Sequence, residues 1–387
     1  MKRQQESALR ADLAKKLVLL AGPRQVGKTT LSRSLSPHHS YLNYDSSEDR
    51  RLLTAKEWDR DVSLVIFDEL HKMRKWKTWL KGIYDTEGIP PGILVTGSAH
   101  LEVFRRGGDS LAGRYFLHRL HPFTVRELGR QFEAEDALER ILTVGGFPEP
   151  FLNGDEQYAR RWRRSHLDVI LRQDLLDLEK VREIRSIEVL VELLLLRVGS
   201  TVSLSSLARD LQTSAHTVKH WLQILESLYV LFPVRPYHHN IARSLLKESK
   251  YYFYDTGAVA DAGADPGAVL ENAVACALLR ELHLAEDLTG KKAQLCFLRD
   301  KEKREVDFLP VLDKKPRELV EVKLNDATFS KSLLYFQDLL PTVPARQVVG
   351  GLKQAKGRAE RNARMVPAAK YLEALSFVSP KLPATSP

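Results

Sequence analysis

The sequence predicts an α/β protein that opens with a parallel sheet and ends in a second, smaller α/β unit. Three observations carry this expectation. Up to about Leu128, the short apolar runs KLVLLA, YLNYD, SLVIFDE and GILVTGS alternate with amphipathic stretches, as buried parallel strands alternate with helices. The first run leads straight into a glycine-bearing loop with the spacing of a phosphate binder. After a leucine-rich helical stretch and two closely spaced amphipathic helices, the chain ends in one helix followed by three β-rich segments.

Composition sets the bounds. A chain of 387 residues has room for two or three domains with real cores. An apolar share of 43% and a charged share of 28% are those of a soluble globular protein. The net charge of +9 suits a polyanionic partner. Cys276 and Cys296 lie in apolar runs and read as buried free thiols, without zinc spacing and too few for a secreted disulfide scaffold. The start, MKRQQESALRADLAKKLVLLAG, lacks a signal-peptide pattern. The apolar stretch Val189 to Leu196 is interrupted by Glu192 and too short to span a bilayer. The expected location is the cytoplasm, with no membrane partner.

The phosphate loop comes first. Gly22, Pro23, Arg24, Gln25, Val26, Gly27, Lys28 and Thr29, with Thr30 behind them, fit G-x-x-x-x-G-K-[ST]. Glycines let such a loop turn tightly and aim amide N–H groups at phosphate oxygens. A strand precedes it and KTTLSRSL starts a helix whose dipole favours anions. The expected ligands are ATP and Mg²⁺: Lys28 reaches the β and γ phosphates, and the Thr29 hydroxyl holds the metal. Leu64 to Phe67 is an apolar strand ending in two carboxylates. Asp68 would hold Mg²⁺ through water, and Glu69 would polarise the attacking water. The strand Ile93 to Thr96 ends in small polar residues. Ser98 is the expected γ-phosphate sensor, with Thr96 as the alternative. In Gly108 to Arg114, Arg114 suits an arginine finger donated to a neighbouring subunit, with Arg105 and Arg106 as rivals.

The segments GPRQVGKTT, YLNYD, LVIFDELHKM, ILVTGSA and GDSLAGRY together resemble a bacterial and archaeal family of predicted AAA+ ATPases with a C-terminal domain of uncharacterised function. The resemblance covers nearly the whole chain and is most specific over residues 1–130. It implies a five-stranded core of the additional-strand, catalytic-glutamate class. It also implies homo-oligomers, a hexamer foremost, with ATP at subunit interfaces.

Ser203 to Leu211 puts Leu204, Leu207, Ala208 and Leu211 on one helical stripe. After Gln212 and Thr213, Ser214 is a good N-cap for a helix with Val218, Trp221, Leu222, Leu225 and Leu228 inward. Two helices joined so tightly predict a helix-turn-helix, with Leu231–Arg235 and Tyr251–Tyr254 as a wing. His216, Thr217, Lys219, His220 and Gln223 face outward and are the expected DNA contacts.

In the last unit, a helix over Ala268 to Leu282 turns Glu271 inward beside Val274 and Leu278. Strands Glu305–Leu309 and Glu318–Leu324 follow, and alternation puts Glu321 and Lys323 on one face. An aspartate followed by E-x-K on the next strand resembles the PD-(D/E)XK nuclease fold, which the C-terminal domain of the family also resembles. That likeness implies Mg²⁺ held by Asp307 and Glu321, with Glu271 supporting the metal and Lys323 positioning water or neutralising charge. Pro310 argues for a strand edge or bend. Lys353, Lys356, Arg358, Arg361 and Arg364 read either as a phosphate-contacting stripe or as a solvated helix face.

The expected organisation is an AAA+ core over 1–130, a helical segment over 131–199, a winged helix-turn-helix over 200–255, a nuclease-like α/β domain over 256–378 and a disordered tail over 379–387. The expected function is an ATPase that couples hydrolysis to DNA remodelling or processing, such as branch migration or translocation, with a candidate Mg²⁺-dependent nuclease. The alternatives are an ATP-gated DNA-binding regulator without cleavage and a nucleotide switch for protein partners.

Overall fold

A computed structural model describes residues 1–97, 111–174, 183–237, 248–325, 328–358 and 362–378. The expected sensor Ser98, the rivals Arg105 and Arg106, and the tail over 379–387 lie outside these residues.

The first part is a five-stranded sheet: β1 (Leu17–Ala21), β2 (His39–Asn43), β3 (Leu64–Asp68), β4 (Gly92–Thr96) and β5 (Tyr115–Arg119). The order is β2-β3-β4-β1-β5 with every pair parallel, so β4 stands between the loop-bearing β1 and the acidic β3. That is the additional-strand arrangement the resemblance implies. β1, β3 and β4 are buried along their whole length because both faces are covered, which is why they read as unbroken apolar runs. Alternate residues serve opposite faces: Leu17, Leu19, Phe67 and Val95 join one cluster, while Val18, Leu20, Ile66 and Leu94 join the other.

Residues 131–174 and 183–199 hold helices over Ala134–Val144, Pro148–Asn153, Glu156–Val169 and Ile184–Leu195, and no strand. The chain then breaks at Gly199, in the left-handed region at φ 79°. The helix-turn-helix is present: β6 (Thr201–Val202), helices Leu204–Asp210 and Ala215–Ser227, then β7 (Leu231–Pro236) and β8 (Ser249–Phe253). Ser214 caps the second helix by accepting from the Thr217 amide. β8 pairs antiparallel with both β6 and β7, as a wing requires.

The expected break near residue 255 cuts across one continuous sheet. β7 also pairs in parallel with β9 (Ala293–Arg299) through Arg235–Cys296 and Pro236–Phe297. Beyond β9 come β10 (Glu305–Leu312), β11 (Lys315–Pro316), β12 (Leu319–Lys323), β13 (Ala345–Val349), β14 (Lys356–Arg358) and β15 (Ala363–Pro367). Together with β6, β7 and β8 they form a ten-stranded sheet. Pro310 lies within β10, not at an edge, opposite Leu295 and just past a register shift between Val306 and Leu309. The shift is the bend the proline predicts. Of the basic segment, Lys353 lies in a bend, Lys356 to Arg358 pairs antiparallel with β15 and Arg364 is exposed on the paired strand, while Arg361 lies outside the described residues. Cys276 and Cys296 are free, and burial pushes their thiols up to about 12 and about 11. Among the described residues no helix is long and apolar enough to cross a membrane.

One helix joins the two halves. It runs from Pro266 to Thr289, 24 residues in place of the shorter helix expected, with Asp265 capping its start. At 1.5 Å per residue it is roughly 36 Å long. Its far end docks on the core just after β5. Arg119 donates to Asp287 (2.6 and 3.0 Å) and Glu286 (2.7 Å), and His121 Nε2 lies 2.9 Å from His283 Nδ1. Burial holds both histidines well below their ordinary value, reinforced by Arg119 on both sides and by Arg280 and Arg3 around His121. The folded pair therefore stays neutral while the unfolded chain takes up protons below about pH 6.5. Stability falls as pH drops through that value, by up to about 1.4 kcal/mol per pH unit for each histidine. Thermal melts from pH 8 to pH 5 should show this decline, with a shallower slope in His121→Leu/His283→Leu. An unchanged slope would place the acid sensitivity elsewhere.

Candidate functional site

The loop between β1 and the helix Lys28–Ser34 needs three left-handed residues: Gly22 at φ 146°, Gln25 at 59° and Gly27 at 94°. Gly22 has a second constraint. A Cβ there would stand 2.2 Å from the Leu120 carbonyl oxygen, so the strand β5 continuation presses directly on the loop. The Lys28 side chain is buried inside the loop, where its ammonium donates to the carbonyls of Gly22 (2.9 Å) and Pro23 (2.7 Å). Arg24, Gln25, Val26, Thr29 and Thr30 follow the same turn, Val26 fully buried beneath it.

Strand order brings the second motif alongside. Asp68, the buried last residue of β3, collects four donors. Thr29 Oγ1 (3.0 Å) and the Tyr41 hydroxyl (2.5 Å) reach Oδ2, and the Thr96 hydroxyl and the Glu69 amide (3.1 Å) reach Oδ1. Thr96 is fully buried at the end of β4. Glu69 takes a left-handed backbone at φ 53°, a strained choice for a residue with a side chain, of order 1–3 kcal/mol. Its amide also donates to the Thr96 carbonyl at 3.0 Å. Burial first, then the Asp68 charge, push the Glu69 carboxyl up to about 7 against the pull of Lys72 and Lys28.

Two neighbours escaped the sequence reading. Tyr41 on β2 stacks under Arg33 (3.8 Å to the ring centre) and spends its hydroxyl on Asp68. His166, in the helix Glu156–Val169, has Nε2 3.2 Å from the Arg24 carbonyl and stacks on Trp162 at 4.5 Å. A carbonyl only accepts, so His166 is the donor. Burial pushes it down to about 4, helped by the charges of Arg24 and Lys28. The helical segment thus rests on the loop backbone itself.

Arg114 sits just before β5, at the opposite end of the sheet from its own loop, since Leu17 of β1 faces Tyr115. It holds Asp85 by two bonds of 2.7 and 3.1 Å and keeps that carboxyl below its usual range. From there it lies away from its own phosphate loop.

On the second helix of the helix-turn-helix, His216, Lys219 and Gln223 are exposed and Thr217 and His220 half-buried, while Val218, Trp221, Leu222, Leu225 and Leu228 are buried. The expected faces are the observed ones.

The nuclease-like residues also come together. Glu271, Asp307, Glu321 and Lys323 lie at the meeting of the long helix, β10 and β12, with Lys323 2.9 Å from Glu321. Burial and the Asp307 charge push Glu271 and Glu321 each up to about 7. Lys250 of β8 joins them, with its side chain 1% exposed. Its ammonium stands 2.7 Å from Glu305, 3.5 Å from Asp307 and 3.6 Å from Glu271. The Tyr252 hydroxyl donates to Glu271 (2.6 Å), and Asp307 accepts from the Val322 amide (2.9 Å). These residues do not fit a divalent ion, because the Lys250 ammonium already stands 3.5 Å from Asp307 and 3.6 Å from Glu271, two of the three carboxylates that would hold it. Among the described residues, no three His, Cys, Asp or Glu side chains are arranged to hold a metal.

Comparison with known proteins agrees with the core. The AAA domain family matches residues 14–129. Two families without assigned function cover the rest: "Domain of unknown function (DUF8612)" over 135–265 and "Domain of unknown function (DUF4143)" over 266–371. An uncharacterized protein of Mycobacterium tuberculosis is 29% identical over 245 residues, which are 62% of this chain and 54% of that protein. The chain thus spans about half the length of this relative. An uncharacterized protein of Methanocaldococcus jannaschii is 22% identical over 83% of this chain and 78% of its own length. Among solved structures, a variant of Thermotoga maritima RuvB aligns at 17% identity over 59% of this chain and 87% of that one, with a TM-score of 0.31. The chain thus carries an AAA domain at residues 14–129 and a C-terminal domain of unknown function at 266–371, and is similar to uncharacterized bacterial and archaeal proteins.

Proposed function

We propose that the chain is an ATP hydrolase that couples turnover to work on DNA. One observation carries the reading: Lys28, Thr29, Asp68, Glu69 and Thr96 meet at one end of a parallel sheet. The residues fit ATP and Mg²⁺. Lys28 already lies in the loop, and Thr29 and Asp68 form the oxygen pair that a hard cation prefers. Thr29 and Asp68 would hold Mg²⁺, which would offset the charge of the phosphates. In this reading Lys28 exchanges its loop carbonyls for phosphate oxygens. Asp68, oriented by Tyr41 and Thr96, keeps its carboxylate facing Thr29. Glu69 orients the attacking water, and its environment suits a general base working near neutral pH. Thr96, in contact with Asp68, takes the sensing role among the described residues. Arg114, remote from its own loop, supports a homo-oligomer, a hexamer foremost, with ATP at subunit interfaces.

DNA enters through the outward face of the helix Ala215–Ser227 and the net charge of +9. ATPase rates with and without duplex, single-stranded and branched DNA test the coupling. A several-fold stimulation that disappears in Lys28→Ala is the expected result. A rate indifferent to every DNA form would overturn it. The lysine inside the acidic cluster favours one second reading, an ATP-gated DNA binder that does not cut. Slow turnover with a nucleotide-dependent DNA affinity would mark it out.

A further inference from the structure

We propose that Lys250 is the permanent cation of the nuclease-like site, standing where a divalent ion would sit, so that the C-terminal unit recruits no catalytic metal there. The lysine comes from β8 of the wing, outside the nuclease-like strands, and reaches the cluster because β7 joins both parts into one sheet. A lysine this deeply buried is tolerated only when paired. Three carboxylates from two elements provide the pairing: Glu305 and Asp307, two residues apart on β10, and Glu271 on the long helix. The second Asp307 oxygen accepts from the Val322 amide, and the Tyr252 hydroxyl shares Glu271 Oε1 with Lys250. Gly199 closes the Glu271 side, since a Cβ there would lie 2.8 Å from Oε2. Glu321 Oε2 is buried without a hydrogen-bond partner. A magnesium ion at its usual distance of about 2.1 Å from Glu321 and Asp307 would face the Lys250 ammonium, cation against cation. The arrangement instead ties the wing strand, the long helix and β10 through a single ammonium, a fixed junction in place of a reactive centre.

Manganese binding to the nucleotide-free, full-length protein tests this, read by electron paramagnetic resonance of free Mn²⁺. A Lys28→Ala background limits the contribution of the phosphate loop. Asp307→Asn should leave the titration unchanged, because Asp307 holds no metal. Lys250→Met should create a new site, with affinity at least about 10-fold above that background and abolished by adding Asp307→Asn. A site present with Lys250 intact and lost in Asp307→Asn would overturn the proposal. So would a folded Lys250→Met protein that gains no Mn²⁺ binding. If Lys250→Met fails to fold, the Asp307→Asn comparison alone decides.

Discussion

Lys28→Ala should lower ATP turnover by at least about 100-fold, and Glu69→Gln should lower it by about 10²–10⁴-fold while leaving ATP bound. The two losses differ in kind. The Lys28 ammonium projects a full positive charge into the loop, held between the Gly22 and Pro23 carbonyls. Removing it takes away charge that phosphate meets both on binding and during transfer, so affinity and rate should fall together. Glu69 has a different place. Its backbone is pinned by bonds to Asp68 and Thr96, and glutamine fits the same position. Only the capacity to accept a proton is lost, so the rate constant falls while the dissociation constant holds. Equilibrium binding of a fluorescent ATP analogue beside steady-state phosphate release separates the two. Glu69→Gln that kept wild-type turnover would remove Glu69 from the chemistry.

The parts of this site that follow one another in sequence are readable from it. The loop, the apolar strand ending in Asp68 and Glu69, and the strand ending in Thr96 each announce themselves locally, and each lies where expected. What escapes depends on distant partners. β5 is hard to see because YFLHR ends in two polar residues. They are buried only because Asp12 stands 2.9 Å from His118 and Asp287 takes Arg119. Tyr41 looks like a strand aromatic until β2 lies beside β3 and its hydroxyl meets Asp68. Lys250, in the stretch KESKYYFY, reads as an ordinary solvated charge; only the shared sheet buries it. The sequence reading ends the long helix at Leu282, whereas it runs on to Thr289, where the Glu286 and Asp287 carboxylates are spent on Arg119 of the core. Period and propensity describe a residue's own element, and ion pairs between elements lie beyond their reach.

Arg119→Met should destabilise the protein by about 3–5 kcal/mol, the usual cost of breaking a buried ion pair from one side. The Arg119 and Asp287 side chains are 8% and 3% exposed, so the pair is shielded from water. Burial already raises the Asp287 carboxyl, and Arg119 is the foremost influence opposing that rise. Without the guanidinium, Asp287 must either stay charged in a dry site or take a proton at neutral pH. A second change separates lost pairing from lost packing. Asp287→Asn removes the stranded charge yet still accepts from the backbone amide at position 119, a bond of 2.9 Å in the native protein. Arg119→Met/Asp287→Asn should therefore recover most of the loss, as expected when both charges of a buried pair are neutralised together. The site of the damage has a second consequence. Leu120, the next residue, presses its carbonyl on Gly22 of the phosphate loop, so loosening this end of β5 loosens the loop. Urea unfolding of the single variant should shift to lower concentration, and its nucleotide affinity should weaken even though every loop residue is intact. A single variant as stable as wild type would show that the long helix docks on the core through its apolar contacts alone.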